Sequence, residues 1–460
     1  MATNYEFLAK LVNNFNDECT KFDSKWMQRH RVLDTKLLVT IIIKLIVSKT
    51  KQGYASNLQQ LWESCQLKDI DLPQITSVAA SSLCESRQKL PAEIFTNLIT
   101  SLLGLWHDYS EYPKWNGHRV FAVDGSKINL PRELVNYGYK VVDRIGRFYP
   151  QGTMSCLYDL QQQLIYDIEI VSHRDERACA LEHLSKMNAG DIVVFDRGYF
   201  SYFMLHKILE QNVNAVFRMQ EGCSNNKVKE FWDNNLKTDE VIEYIPSNAV
   251  ISEIKKKGFV NIKPVPIQLR LIKHKIKDQI YIYATTLIGD NYPASEFGDL
   301  YHGRWGIEEL YKISKNYIDV EDFHSKTERG IKQEIYAHAL LINLSRIFEH
   351  QSNNKANNDA KENQNITDKN SFQKNNGIQS NSNTCNNFKI NFKNCLFTTG
   401  RYIENILLSS VSTIESWIDT TLGGIARIRQ KIRPSRSFQR ISHKPRSPWN
   451  SYGKSRLAVY

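Results

Sequence analysis

The chain has 460 residues, of which 41% are hydrophobic and 24% are charged, and its formal net charge is +11. This length allows two or three domains with a sizeable core, and the composition is typical of a globular protein and excludes a disordered or fibrous one. The longest apolar run, Leu37–Val47, contains Lys44 and is far shorter than the ~20 residues that a membrane span needs.

The N-terminal residues and the cysteines favour a cytoplasmic protein. Met1–Lys10 contains no basic segment followed by an apolar stretch and a cleavage site, so we expect no secretion. The eight cysteines include no CxxC pair. In a chain of this size, that spacing is typical of reduced thiols and does not indicate zinc.

Residues 1–112 are predicted to form a helical N-terminal domain. Five amphipathic stretches have the periodicity of helices, and few runs alternate as strands do. These stretches are Tyr5–Phe15, Leu33–Ser48, Ala55–Ser64, Ser77–Lys89 and Pro91–Trp106. A ligand-binding domain and a helical cap on the following domain are equally compatible with this pattern.

Residues 113–350 change to an α/β pattern, with the order strand, strand, strand, helix, strand, helix, strand. The predicted elements are Val120–Asp124, Thr153–Leu160, Gln163–Val171, Glu176–Met187, Ile192–Asp196, Tyr199–Gln211 and Ala215–Met219. This is the order of an RNase H-like core. A β-rich insertion is predicted at 220–295, and helix returns from Pro293 to His350.

The C-terminal third begins with a low-complexity segment. In residues 351–394, 15 of the 44 residues are Asn, a composition that buries too little apolar surface to offset chain entropy, so we expect a disordered insert. A helical segment is predicted at 395–426. The tail, 427–460, contains ten Lys or Arg and no Asp or Glu. Such a tail can bind phosphates through counterion release, and a solvated terminus without a specific role is the alternative.

Two aspartates follow apolar runs of the predicted core. Asp124 and Asp196 each come directly after a short β-run and before Gly or Arg-Gly. If the two strands are parallel neighbours, the carboxylates lie side by side at the edge of the sheet, where they repel each other unless cations neutralise them. Mg²⁺ favours such oxygen ligands, and two such ions can assist both the attacking and the leaving oxygen of a phosphodiester. Asp-Gly alone is also a common turn.

A third acidic residue lies in a more distinctive segment. Tyr301, Arg304, Glu308 and Lys315 are three, four and seven residues apart, so on one helix they would share a face about 21 Å long. This face suits a nucleic-acid backbone, with Glu308 on metal and the cationic side chains on phosphates. The alternative is a solvated face with an Arg304–Glu308 ion pair.

Together these motifs resemble the DDE transposases of the fourth insertion-sequence family. The resemblance rests on Asp124 in VDGS, Asp196 in FDRGYF and the Tyr-x2-Arg-x3-Glu-x6-Lys pattern at 301–315. Residues 323–337 and 433–438 also resemble that family. The similarity covers about 118–345 well and the N-terminal helices loosely, while the Asn-rich segment is foreign to it.

The resemblance implies an RNase H-like fold in which Asp124, Asp196 and Glu308 bind Mg²⁺, with Mn²⁺ as a possible substitute. It implies that the enzyme cuts double-stranded DNA at the terminal inverted repeats of its element and joins it to target DNA through hairpin ends. The N-terminal domain would bind the DNA ends, and a homodimer would hold two of them together in the bacterial cytoplasm.

Six further side chains are candidates for DNA contacts: Tyr301, Arg304, Lys315, Arg197, Lys326 and Trp232. Trp232 is the candidate for stacking on a flipped base, although an ordinary core tryptophan is the favoured interpretation. Arg197 fits either a phosphate contact or an ion pair. Two other functions stay open: an RNase H-like nuclease that does not transfer strands, and a transposase-derived DNA-binding protein without catalytic activity.

Overall fold

One nine-stranded sheet organises the molecule, with helices on both of its faces. The computed structural model describes residues 4–27, 29, 31–48, 53–141, 149–172, 176–220, 222, 225–256, 264–276, 279–371, 388–409 and 411–431. The helices are α1 Asn4–Trp26, α2 Thr35–Val47, α3 Tyr54–Leu67, α4 Ala80–Lys89, α5 Glu93–Tyr109, α6 Glu176–Leu184, α7 Tyr202–Glu210, α8 Asn226–Asp233, α9 Asn248–Lys256, α10 Phe297–Gly303, α11 Trp305–Asn316, α12 Glu328–Ser371, α13 Phe392–Arg401, α14 Ile403–Leu408 and α15 Val411–Arg427. The strands are β1 Val120–Asn129, β2 Lys140–Val141, β3 Pro150–Asp159, β4 Ile165–Val171, β5 Ile192–Phe195, β6 Asn214–Arg218, β7 Asp239–Tyr244, β8 Ile267–Ile276, β9 Gln279–Thr285, β10 Phe388–Ile390 and β11 Arg429–Lys431.

The sheet is mixed and mostly antiparallel. Its order is β2-β3-β1-β5-β6-β9-β8-β7, and β4 also pairs with β3. Only the β1–β5 and β5–β6 pairs are parallel among the pairs described. β5 is buried along its whole length, which explains its unbroken apolar sequence. The predicted α/β class and the order of core elements are confirmed, while the RNase H-like assignment stays a prediction.

The segment predicted as a β-rich insertion, 220–295, extends this sheet. Its last strand, β9, pairs antiparallel with β6, and β8 and β7 continue outwards from it. Two amphipathic helices, α8 and α9, also belong to the segment. The sequence prediction therefore identified its strands, but not its helices.

Side chains on β1 alternate between two hydrophobic cores. Ala122 belongs to the first core, whereas Phe121 and Val123 belong to the second. The first core also contains residues of α1–α5 and α11–α15, and the second contains residues of α6–α9. The five predicted N-terminal helices are confirmed, and they share one core with the C-terminal helices. Domain boundaries within the chain stay predictions.

Three ion pairs, formed with two buried glutamates, connect the N-terminal helices to later parts of the chain. Glu404 in α14 accepts hydrogen bonds from Lys44 of α2 and Lys68 just after α3, at 2.9 and 2.7 Å. Arg87 in α4 donates to Glu334 in α12 at 2.8 Å, and both side chains are buried. Since breaking a buried pair leaves an uncompensated charge, these contacts fix the N-terminal helices firmly.

The expectation of disorder at 351–394 is wrong for part of that segment. The helix α12 continues to Ser371, and β10 and the start of α13 occupy 388–394. Residues 372–387 lie outside the described residues. The helix can continue because its buried part is already formed, so each added residue avoids the cost of nucleation. Lys355, Ala356, Ala360 and Glu362 also have high helix propensity.

The end of the chain is described as far as Lys431. The helices α13 to α15 lie in and around the segment predicted to be helical, 395–426, and β11 pairs with β10. The rest of the basic tail, 432–460, lies outside the described residues. Within the described part of the chain, no helix is both long and apolar enough to cross a bilayer.

Candidate active site

The two aspartates lie at the same level of two adjacent parallel strands. The last paired residues of β1 and β5 are Ala122 and Val194, and Asp124 and Asp196 each follow two residues later. One expectation is corrected here. Asp124 does not end its strand, because β1 continues to Asn129 through its antiparallel pairing with β3. Asp124 lies instead where β1 extends past the end of β5.

Asp124 is held in a largely buried position. Its Oδ1 accepts a hydrogen bond from the Gly125 N–H at 2.9 Å, and Tyr311 in α11 donates to its main-chain carbonyl at 2.5 Å. Burial raises the pKa of Asp124 to about 6, although the Gly125 N–H and the charge of Arg304 oppose this rise. The carboxylate is therefore ionised at neutral pH at an energetic cost.

Asp196 is oriented by Tyr301. The Tyr301 hydroxyl donates to Asp196 Oδ1 at 3.1 Å, and its ring stacks on Tyr283 with 4.9 Å between centroids. Tyr301 is only 5% exposed, and burial raises its pKa, so it stays a neutral donor. The role of Tyr301 as a DNA contact stays a prediction, and in this structure its hydroxyl is bound to Asp196.

Glu308 pairs with Arg304, which also lies near Asp124. Arg304 Nη2 donates to Glu308 Oε1 at 2.6 Å, and Arg304 Nη1 is 3.9 Å from Asp124 Oδ2. The guanidinium also interacts with the charge of Asp196. Arg304 thus stands among all three acidic residues, with its side chain 7% exposed.

The predicted four-residue stripe is neither one helix nor an open face. Tyr301 lies in the last turn of α10, and Arg304 connects α10 to α11. Glu308 and Lys315 belong to α11. Lys315 is half-buried and donates to the Lys127 carbonyl at 2.6 Å. The spacing is compatible with a DNA-facing surface, with a solvated face and with a face that packs against the sheet, and Tyr301 and Arg304 are buried in the structure.

The three carboxylates suit a divalent cation chemically, but they are not assembled into a site for one in this conformation. Among the described residues, no three His, Cys, Asp or Glu side chains lie close enough together to hold a metal ion. The positive charge among Asp124, Asp196 and Glu308 is supplied by Arg304 instead. All three offer the oxygen ligands that Mg²⁺ and Mn²⁺ prefer. Their role as metal ligands stays a prediction.

The remaining predicted DNA-contacting residues are dispersed. Arg197 is exposed and forms no ion pair with any described residue. Lys326 is exposed and pairs with Glu133 at 2.9 Å. Trp232 in α8 is partly buried and packs against the second core, as an ordinary core tryptophan does.

Three aromatic residues near the acidic residues were not identified from the sequence. Tyr311 holds the backbone of Asp124, and Tyr199 is buried within the electrostatic reach of Asp124 and Asp196. Trp305, which follows Arg304, is 53% exposed. Tyr199 lies inside the motif FDRGYF, and Trp305 lies inside the motif Tyr-x2-Arg-x3-Glu. Their positions in these motifs are the feature of the sequence that could have identified them.

Comparison with known proteins finds a matching family model, a curated relative and a similar solved structure. The family model described as "Transposase DDE domain" matches residues 115–344, half of the chain. The chain is 23% identical over 330 residues to the transposase InsG for insertion sequence element IS4 of Escherichia coli, a match that covers 69% of this chain and 70% of that protein. It is also similar to the cryo-EM structure of a piggyBac transposase synaptic complex with hairpin DNA, with a TM-score of 0.42 and 9% identity, over 100% of this chain and 85% of that one.

Proposed function

Because this chain belongs to the transposase DDE domain family and is an IS4-family transposase, we propose that it cuts and joins DNA with Asp124, Asp196 and Glu308 as its acidic triad. The position of Arg304 is the main support. Its guanidinium contacts Glu308, approaches Asp124 and interacts with Asp196, although these residues are 72 and 112 positions apart in the chain. Such distant acidic residues gather around one charge only if the fold brings them there.

In this proposal Asp124, Asp196 and Glu308 hold a pair of divalent cations, Mg²⁺ or Mn²⁺. Bound cations would supply the Lewis acidity and positive charge that in-line displacement at a phosphodiester requires. The residues of the chain prepare the site for them. Tyr301 orients the Asp196 carboxylate, and Tyr311 fixes the main chain of Asp124. Burial keeps both tyrosines neutral, so each can act as a hydrogen-bond donor.

Arg304 is proposed to exchange partners during the reaction. In the chain alone it neutralises Glu308 and Asp124. A cation at the carboxylates would take over this neutralisation, and the guanidinium would then be free to bind a DNA phosphate in a bidentate manner. The same side chain would therefore stabilise the carboxylates of the metal-free protein and position the substrate.

DNA contacts beyond the triad are proposed at exposed positions around it. Arg197, directly after Asp196, has no ion pair in the described structure, so its charge is available to a phosphate. Lys326 can exchange its exposed ion pair with Glu133 for a phosphate. Trp305 offers an exposed ring next to Arg304 on which a base can stack, which makes it a better stacking candidate than Trp232.

The proposal extends to the course of the reaction and to assembly. We infer cut-and-paste transposition through hairpin ends, carried out in the bacterial cytoplasm by a homodimer that holds two terminal inverted repeats. The N-terminal helices would bind these ends, and the tail at 427–460 would add sequence-independent affinity that weakens as salt is raised.

The test uses purified full-length chain, a DNA fragment with the ends of its own element, and target plasmid. With Mg²⁺ we expect nicks at the ends, then hairpin-ended fragments, and then joined products on sequencing gels. Cleavage without joining would favour the RNase H-like nuclease. Binding without cleavage under Mg²⁺ or Mn²⁺ would favour a silent DNA-binding protein and overturn the proposal.

A further inference from the structure

A fourth acidic side chain, Glu176, lies against the strand that carries Asp124. A Cβ atom placed on Gly125 would lie 3.1 Å from Glu176 Cγ, 3.3 Å from Glu176 Cδ and 3.2 Å from Thr153 Cγ2. The Glu176 side chain therefore occupies the space beside Gly125, the residue that follows Asp124. This packing also explains why glycine stands in the middle of β1, where no turn is formed.

Glu176 approaches the site from the opposite face of the sheet to Glu308. It begins α6, whose Ala180 and Leu184 belong to the second core. Glu308 lies in α11, whose apolar side chains belong to the first core. Asp124 lies where β1 extends past β5, so acidic residues from both faces can meet at this edge.

Two sets of hydrogen bonds fix α6 in this position. Arg177 donates from Nε and Nη2 to the Gly198 carbonyl, at 2.9 and 2.7 Å, and so ties the first turn of α6 to the loop after Asp196. At the other end, His183 is fully buried between Asp167 and Ser155, at 2.8 and 3.0 Å. Glu176 is thus carried by a helix that is fixed to the strands of the site.

The carboxylate of Glu176 lacks a close partner among the described residues. It has no hydrogen bond or ion pair there, and the charge of Lys127 acts on it only from a distance. The charges of Glu176 and Glu308 both act on the Asp124 carboxylate. Carboxylates that influence one another repel, and a cation that neutralises them would allow them to come closer together.

Tyr199 places a buried hydrogen-bond donor near these carboxylates, an observation independent of the packing around Gly125. The residue is 3% exposed, and its hydroxyl forms no hydrogen bond with any residue that the structure describes. It lies within the electrostatic reach of Asp124, Glu176 and Asp196. A buried hydroxyl without a partner is unfavourable, so the Tyr199 hydroxyl is a donor that remains available to the acidic residues near it.

We propose that Glu176 is a fourth acidic residue of the active site and provides a carboxylate ligand to the divalent cation held by Asp124. This inference rests on the proposed function, because it assumes that Asp124 binds a cation. It adds a ligand from α6 to the triad and assigns the buried Tyr199 hydroxyl as the donor that orients the carboxylates once the cation is bound.

The test measures Mn²⁺ binding to metal-free full-length chain without DNA, by electron paramagnetic resonance and calorimetry. The variants are Glu176→Gln, Asp124→Asn and the control Glu182→Gln, an exposed position on the same helix. We expect Glu176→Gln to weaken Mn²⁺ binding about 10-fold or more. We expect Glu182→Gln to bind as the wild type does. Thermal unfolding of each variant verifies that it is folded, and Glu176→Asp, which keeps the charge, should retain part of the affinity.

The variants distinguish a failure of Glu176 as a cation ligand from a failure of the acidic triad. If Asp124→Asn loses Mn²⁺ binding while Glu176→Gln binds like the wild type, the fourth ligand is refuted and the triad stands. If the wild type does not bind Mn²⁺, or Asp124→Asn binds it unchanged, the triad itself is refuted and the inference falls with it.

Discussion

Arg304 and Glu308, one helical turn apart, form an ion pair of 2.6 Å between Nη2 and Oε1. Unlike an ordinary exposed pair of this spacing, its arginine is buried and also lies 3.9 Å from Asp124. In the absence of other cations, Arg304 therefore provides the charge that allows several carboxylates to remain close together.

Replacing Arg304 should affect cation binding and catalysis in opposite directions. In Arg304→Gln the carboxylates no longer have an internal cation, so we expect metal-free protein to bind Mn²⁺ several-fold more tightly. End cleavage should nevertheless fall, because the guanidinium is needed on the DNA phosphate. Calorimetry and a gel-based cleavage assay measure the two effects.

Lys312→Gln is the matched control, since it removes the exposed Lys312–Glu309 pair on the same helix. It should change neither quantity. Weaker Mn²⁺ binding in Arg304→Gln would show that the arginine supports the cation instead of replacing it.

The ionised carboxylate of Asp124 should reduce the free energy of unfolding of the metal-free protein at neutral pH. Its pKa is about 6 in the folded chain, against an ordinary value of 3.8. Below pH 4 the Asp124 carboxyl is protonated in both the folded and the unfolded state, so it does not reduce the stability. Between pH 4 and 6 only the unfolded state ionises freely, so stability falls as pH rises. The shift corresponds to about 3 kcal/mol, and to about 2 kcal/mol after allowing for partial exposure.

We therefore expect Asp124→Asn to raise the free energy of unfolding at pH 8 by about 2 kcal/mol, and the gain to shrink towards pH 4. Urea unfolding at several pH values measures it. Asp71→Asn, at an exposed loop position, should show no such trend. A gain that is the same at every pH would contradict the raised pKa.

The hydroxyl of Tyr301 should matter more for catalysis than for folding. Tyr301→Phe keeps the ring stacked on Tyr283 and removes only the hydrogen bond to Asp196. We expect unfolding free energy to change by about 1 kcal/mol at most. Cleavage should slow about 10-fold, since Asp196 loses its orienting donor. The control is Tyr281→Phe, since the Tyr281 hydroxyl bonds to exposed Gln279, and it should cleave at the wild-type rate. If Tyr301→Phe cleaves as fast as this control, Tyr301 does not contribute to catalysis.

The buried pair Arg87–Glu334 should be essential for joining the N-terminal helices to the rest of the molecule. Arg87→Met leaves Glu334 buried and deprived of its main counter-charge, so we expect a loss of about 3–5 kcal/mol in unfolding free energy. Adding Glu334→Leu should recover part of this loss, because no unpaired charge then remains. If the single variant loses less than about 1 kcal/mol, the N-terminal helices are held mainly by apolar packing.

The sequence identified the elements of the core because their signals are local. The apolar runs before Asp124 and Asp196 predicted two strands, and the structure shows them as parallel neighbours. Where β1 ends was not predictable, since its extension to Asn129 depends on pairing with β3, about thirty residues later. The local sequence pattern of a strand does not determine which other strand it pairs with.

The surroundings of the acidic residues were harder to predict. The stripe from Tyr301 to Lys315 has the same spacing whether it faces solvent or the end of a sheet, so burial of Tyr301 and Arg304 could not be derived from it. Glu176 precedes Asp196 by twenty positions and belongs to no motif. The feature of the sequence that relates to Glu176 is Gly125, because a glycine there leaves room for the Glu176 side chain.

End cleavage by variants of the three acidic residues tests the central claim most directly. Asp124→Asn, Asp196→Asn, Glu308→Gln and the double variant Asp124→Asn with Glu308→Gln would be compared with Glu309→Gln, a neighbouring exposed glutamate. If the three act as one unit, each single variant loses at least about 10³-fold in rate, the double variant is no slower than the singles, and all still bind DNA ends. Glu309→Gln should cleave normally. Cleavage within 10-fold of wild type in any of the three single variants would contradict a joint active site.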